Sequence, residues 1–290
     1  MLDIHYILSD IDDSILCNFS IQPFKNRSFI VSYVNASKNL NVVRFDSKTG
    51  NILAQKTNLI LSNNFQSVSC FNTKTSGSVI YLYTEESHAS HASPYLRILD
   101  EYLNLTKKSK LSHTLISMAT CEDCLCVMSS SNPECNTLTT FDDKLEIVSE
   151  CGQAMPDSPF YIPKSIVSFL VNDSYLVLSE TVLVANEMEG EEPVDEEDII
   201  KYEKILLVSK ESGHVVSQFE MSYFDTWRLY LDKYILTYHT DTHVLRSYNL
   251  SGDFLHEVTF KDELVETTFE CIAGKELYFY NEDQKKLYHF

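Results

Sequence analysis

Basic residues are scarce in this chain, 23 lysines and arginines against 42 aspartates and glutamates, which leaves a formal net charge of −19. A surface of that sign repels phosphate backbones and anionic headgroups, so neither nucleic acid nor a membrane surface is an expected partner. No run approaches the roughly 18 consecutive apolar residues of a membrane-crossing helix. Met1–Asp10 lacks the basic segment and the long apolar stretch of a secretory leader. Glycine and proline number seven each, and no Gly/Ser/Pro tract divides the 290 residues. One domain over 1–290 is therefore expected. Helical periodicity is nowhere sustained. Nucleophile elbows, phosphate loops, H-E-x-x-H and dinucleotide fingerprints are all missing. The chain reads as non-catalytic, with no cofactor.

What is present is a repeated hairpin. His243–Val258 (HVLRSYNLSGDFLHEV) reads as strand, tight turn at Ser251-Gly252, and strand. Val42–Gln55 follows the same plan around Gly50, and Ile205–Phe219 around Gly213. Leu96–Leu105 and Leu138–Val148 are copies without glycine, turning through Asp100-Glu101-Tyr102 and Asp142-Asp143-Lys144. Three of the seven glycines thus occupy one kind of turn, where positive φ costs other residues strain. A hairpin returning at such intervals marks a repeat fold, and β-rich composition (17 Tyr, 16 Phe) makes it all-β.

Strand-like segments fall into groups of four, the hairpin supplying the last two of each. The sixth group is one strand short, and Asp3–Ser9 at the other end would complete it and close the ring. Six groups average about 48 residues, within the roughly 40–50 of a propeller blade, and seven shorter blades are the alternative. The expected long connections, Glu85–Pro94, Thr181–Glu203 and Glu150–Pro163, would share one face, with tight turns opposite. Binding tends to locate on long loops over a rigid scaffold.

Within 186–201 lies EMEGEEPVDEED, with the carboxylates of Glu187, Glu189, Glu191, Glu192, Asp195, Glu196, Glu197 and Asp198 and no base. Such a block reads as a disordered, solvated insertion, or as an electrostatic docking site for a basic peptide or protein. It lacks the spacing of a calcium loop. Cys121, Cys124 and Cys126 suggest a zinc knuckle, but no second Cys/His pair follows, so buried blade cysteines are expected and no metal. His239–His243 (HTDTH) reads as a polar turn, His88 and His91 as loop residues, and Trp227 as core of an inner strand. The eight cysteines are scattered rather than framed as disulfides, which points to the cytoplasm or nucleus. Six sequons, at Asn18, Asn26, Asn35, Asn104, Asn172 and Asn249, leave a secreted, glycosylated protein as an alternative.

The hairpin Phe45-Asp46-Ser47-Lys48-Thr49-Gly50-Asn51-Ile52-Leu53 resembles the outer hairpin of NHL-type and related β-propeller repeats. WD40, kelch and YWTD signatures are missing. The resemblance implies a single propeller of four-stranded antiparallel blades and a habit of protein binding. It carries over no active residues. The leading expectation is a cytosolic interaction module presenting its long-loop face. The runner-up is a hydrolase or lactonase with a metal at the channel mouth, for which Asp157, Asp225 and Glu266 are candidates.

Overall fold

Alternating apolar and polar residues over short segments, with turn residues between them, yield strands, and no helix occurs among the described residues. The structure, a computed structural model, describes residues 2–3, 19–35, 39–60, 66–88, 91–121, 124–130, 134–152, 159–185, 199–260, 267–281, 284 and 286–290. Blade 1 comprises β2 (Phe19–Phe24), β3 (Ser28–Val34), β4 (Leu40–Asp46) and β5 (Ile52–Ile60). Blade 2 comprises β6 (Gln66–Ser76), β7 (Val79–His88), β8 (His91–Leu99) and β9 (Leu105–Lys110). Blade 3 has β10 (Leu115–Cys121), β11 (Cys124–Ser129), β12 (Thr137–Phe141) and β13 (Ile147–Cys151). Blade 4 has β14 (Ser168–Val171), β15 (Tyr175–Ala185), β16 (Ile199–Ser209) and β17 (Val215–Ser222). Blade 5 follows with β18 (Thr226–Tyr230), β19 (Tyr234–His239), β20 (Val244–Asn249) and β21 (Phe254–Thr259). In blade 6, β22 (Thr267–Ala273), β23 (Glu276–Asn281) and β24 (Lys286–His289) are joined by β1 (Leu2–Asp3), paired antiparallel to β24. All pairings are antiparallel, and the protein is a six-bladed β-propeller. Of the segment Asp3–Ser9, residues 4–9 lie outside the described residues.

Six apolar seams hold the ring, one between each pair of neighbouring blades. Tyr81, Leu96 and Val127 belong to the seam between blades 2 and 3, and Val177, Trp227 and Tyr248 to that between blades 4 and 5. The seam that closes the circle packs Ile21, Phe29 and Phe45 of blade 1 against Cys271, Tyr278 and Leu287 of blade 6. Closure therefore rests on side-chain packing across the full height of two blades, with the short β1 pairing beside it. Dispersion and apolar burial along such seams are the main cohesive terms.

The repeated turn owes more to its first residue than to glycine. At the end of the third strand in blades 1, 2, 3 and 5 an Asx oxygen caps the turn. Asp46 Oδ1 accepts from the amides of Lys48 (3.0 Å) and Thr49 (2.7 Å). Asp100 Oδ1 accepts from Tyr102 and Asn104, Asp142 Oδ1 from Lys144 and Glu146, and Asn249 Oδ1 from Ser251 and Asp253. In blade 4 Ser209 Oγ takes this place, accepting from Ser212. These are Asx and Ser turns, which mimic a backbone turn. The left-handed residue is Gly50 (φ 72°), Gly213 (73°) or Gly252 (87°), while in the glycine-free copies it is Leu103 (63°) and Leu145 (56°). Both leucines are buried in the seams, and that burial offsets backbone strain of about 1–3 kcal/mol. Glycine is required at 213 and 252 for a second reason. A Cβ there would stand 2.5 Å from the Phe160 ring and 2.4 Å from that of Phe219.

Two of the long connections need correction. Glu85–Pro94 is almost entirely paired: the β7–β8 ladder continues through Glu85↔Pro94 to His88↔His91. Likewise Thr181↔Glu203 and Ala185↔Ile199 extend the β15–β16 ladder. The connection between β13 and β14 is long, with residues 153–158 outside the described residues, and within it Ile162 and Ile166 are fully buried in the seam between blades 3 and 4. The acidic stretch 186–198 lies outside the described residues, and Ile199–Lys201 already belong to β16.

Candidate functional site

The innermost strand of each blade has a free edge toward the central channel, so its backbone groups need partners. Side chains of neighbouring blades supply several. Thr75 Oγ1 donates to the Pro23 carbonyl and Thr120 Oγ1 to that of Thr75. Arg228 donates to Trp227 O (2.7 Å), Phe269 O (3.2 Å) and Glu270 O (2.7 Å), tying blade 5 to blade 6. Trp227, stacked on Phe224, donates its indole N–H to Ser168 (2.9 Å), a core role as expected. Lys74 makes no hydrogen bond or ion pair with a described residue. Desolvation first, then repulsion from Arg228, lowers its pKa to about 8. Burial raises the pKa of Glu270, opposed by the Thr268 hydroxyl and by Arg228. The channel wall is thus a polar seam in which Thr75, Thr120 and Arg228 are spent on backbone carbonyls of the ring, while Lys74 stays part-exposed.

The face bearing the second-to-third-strand connections is organised by buried carboxylates at the roots of the two long hairpins. In blade 2 Glu86 and Arg97 form an ion pair, both almost fully buried, with Lys108 Nζ 3.4 Å from the same carboxylate. Thr84 hydrogen-bonds both partners. In blade 4 the buried Glu203 accepts from Ser179 (2.5 Å) and Thr181 (2.6 Å). Beyond this root the arm presents Leu183 and Val184, 60% and 42% exposed, and the eight carboxylates that follow in the sequence lie outside the described residues. Near the root, His239 Nδ1 stands 3.8 Å from Asp225 Oδ2, and the His239 ring meets Tyr223 edge-on. Asp225 also accepts the Thr240 amide at 2.6 Å. Residues 240–243 are the polar turn expected.

Of the three carboxylates suggested for a metal, Asp225 alone is described, and Asp157 and Glu266 fall outside the described residues. Among the described residues no group of three or more His, Cys, Asp or Glu could hold a metal ion. Cys126 is buried in the blade 3–4 seam, and Cys121 pairs in register with Cys124 across its hairpin. The seven described cysteines are all free thiols.

The opposite face carries the tight turns, and a feature there escaped the sequence reading. A cleft of about 860 Å³ spans the turns of blades 6, 1 and 2. Lys25, Arg27, Lys48 and Lys275 line it, with Phe24, Ile272 and Tyr278 among its apolar walls and Glu276 the single acid among its described residues. Next to it an apolar groove of about 380 Å³ runs between blades 5 and 6, past Tyr234, Leu255, Val258 and Phe290. Lys275 lines both.

No family model matches the chain, and no curated protein does. Similar solved structures include BamB from Moraxella catarrhalis, 11% identical with a TM-score of 0.49, covering 91% of this chain and 82% of that one. The Dos1 propeller is 10% identical with a TM-score of 0.48, covering 90% of this chain and 64% of that one. Hsv2 of Kluyveromyces lactis is 11% identical with a TM-score of 0.47, covering 92% and 70%. At these scores the likeness is one of general chain course, and the six-bladed assignment rests on the strand pairing and seams themselves.

Proposed function

We propose that this propeller is a non-catalytic protein-interaction module that engages a basic peptide or protein through the acidic arm of blade 4. The observation that carries the reading is the continuation of the β15–β16 ladder to Ala185↔Ile199. The paired arm reaches the two residues that flank this acidic stretch in the chain, and Leu183 and Val184 are exposed on its flank. Eight carboxylates attract a basic partner over about 10 Å at ordinary salt, and the apolar flank gives it a short-range contact. The location that goes with this role is the cytoplasm or nucleus. Free thiols support it, as does Asn172, whose sequon amide is buried and donates to the Asp232 carbonyl at 3.0 Å.

The test is binding of a labelled lysine-rich peptide by fluorescence anisotropy at low and moderate salt. The intact protein is compared with a variant in which the eight acids become Ser, Gly or Asn. The variant is expected to bind about tenfold more weakly at low salt, with a flattened salt dependence. Equal affinity at low salt would remove the arm from the account.

A further inference from the structure

The chain has almost two acids for every base, so bases should rarely gather unaccompanied. Yet the cleft on the tight-turn face collects Lys25, Arg27, Lys48 and Lys275 against Glu276 alone. Glu276 is engaged by the Tyr278 hydroxyl at 2.5 Å, and Lys25 is paired with Glu101 at 3.0 Å. Arg27, Lys48 and Lys275 form no ion pair with any described residue. Four cations around one concavity repel one another, a cost relieved when an anion occupies it. Their positions are fixed by the turns that bear them. Arg27 is held at φ 54°, Lys48 sits inside the Asx turn of Asp46, and Lys275 follows Gly274 at φ 64°. No contact crosses the open side of Gly274, where an added Cβ would meet nothing within 4 Å.

The adjoining groove is of the opposite character. Tyr234, Leu255, Val258 and Phe290 are 36–48% exposed and line one apolar depression whose wall ends at Lys275. A cationic cleft opening directly onto an apolar slot fits a ligand with both chemistries within a short length. We infer that the tight-turn face binds an acidic peptide segment carrying an apolar anchor. Its carboxylates lie over Lys25, Arg27, Lys48 and Lys275, and its anchor enters the groove between blades 5 and 6. The anchor supplies the desolvated contact that gives an interface its energy, and the charges supply rate and register. A long polyanion is disfavoured because the rest of the surface shares its sign.

The experiment uses a fluorescein-labelled twelve-residue peptide of Glu, Asp and Gly with one central Leu, and the same peptide with Ser for Leu. Both are titrated into the intact protein, into a Lys48→Glu/Lys275→Glu variant, and into a Lys107→Glu control remote from the cleft. The Leu peptide is expected to saturate the intact protein and the control. Its affinity should fall at least tenfold in the double variant and severalfold on losing the Leu. No saturation by the intact protein, or equal binding by the double variant, would overturn the inference. So would vesicles rich in anionic lipid that bind the intact protein and displace the peptide, because the cleft would then serve a headgroup. Both substituted lysines are turn residues that form no ion pair with a described residue, and retained thermal unfolding cooperativity checks that the variant folds.

Discussion

The two faces of the ring are made from the same four-stranded unit and differ in how their connections end. On one, two hairpins run on past the blade, and each is rooted in a buried carboxylate, Glu86 or Glu203. On the other, short turns are capped by Asp46, Asp100, Asp142, Ser209 and Asn249, and four bases stand around a cleft. A net charge of −19 says nothing of this polarity. A strand repeat fixes where turns emerge, and individual turns are then free to acquire charge of either sign.

The comparison is broken most severely at the roots of the long hairpins. Glu86→Ala leaves Arg97 buried without its partner, and a loss of about 3–5 kcal/mol is expected in urea unfolding. Glu86→Leu with Arg97→Met should recover much of that loss. No loss in Glu86→Ala would mean the ion pair is not what holds the β7–β8 extension.

Next in size is Gly252→Ala, which sets a Cβ against Phe219 at φ 87°. About 1–3 kcal/mol of destabilisation is expected, and Phe219→Ala in the same background should relieve part of the clash. Glu203→Gln keeps one acceptor for Ser179 and Thr181, so about 1 kcal/mol or less is expected from the same urea measurement.

The channel and the turn caps give smaller, pH-dependent effects. Lys74 is part-exposed to the channel, so its effect is moderated by water there. Its pKa is lowered to about 8 in the folded state, against about 10.4 unfolded. The unfolded chain therefore holds more protons between those values, and stability rises with pH across that window. Lys74→Met should raise the melting temperature at pH 7, with the advantage shrinking above pH 8 and vanishing near the unfolded pKa. At the caps, amide and hydroxyl donation from Thr49 lowers the Asp46 pKa, and amide donation from Glu146 lowers that of Asp142. Their contribution is complete above about pH 3.9 and fades as pH falls through the folded value. Asp142→Asn should reduce the acid sensitivity of the melting temperature and leave it nearly unchanged at pH 7.

Most of the strand order could be read from the chain because the hairpin repeats and its turn residues act locally. The hairpin His243–Val258 contains β20 whole and meets β21, which runs one residue further, whereas in Leu138–Val148 the outer strand is displaced to Ile147–Cys151. The first inner strand, β2, runs from Phe19 through Pro23 to Phe24. Proline is tolerated there because the inner edge has no ladder partner on the channel side. The long hairpins were hidden because Glu85-Glu86-Ser87 and Ser93-Pro94 are poor strand formers. Their ladder depends on a buried ion pair between residues on different strands, which no local pattern displays. The basic cleft was hidden for a related reason: Lys25 and Arg27 share one turn of blade 1 and Lys48 lies in another, whereas Lys275 belongs to blade 6, which meets blade 1 only when the ring closes.

The central claim is that the two faces bind ligands of opposite charge independently. The direct measurement is a crossed titration of the lysine-rich peptide and the acidic Leu peptide into three proteins: intact, arm-neutralised, and Lys48→Glu/Lys275→Glu. The account predicts that the arm variant loses affinity for the basic peptide alone and the cleft variant for the acidic peptide alone. If either variant loses both ligands equally, or neither loses its own, the two-faced account is wrong.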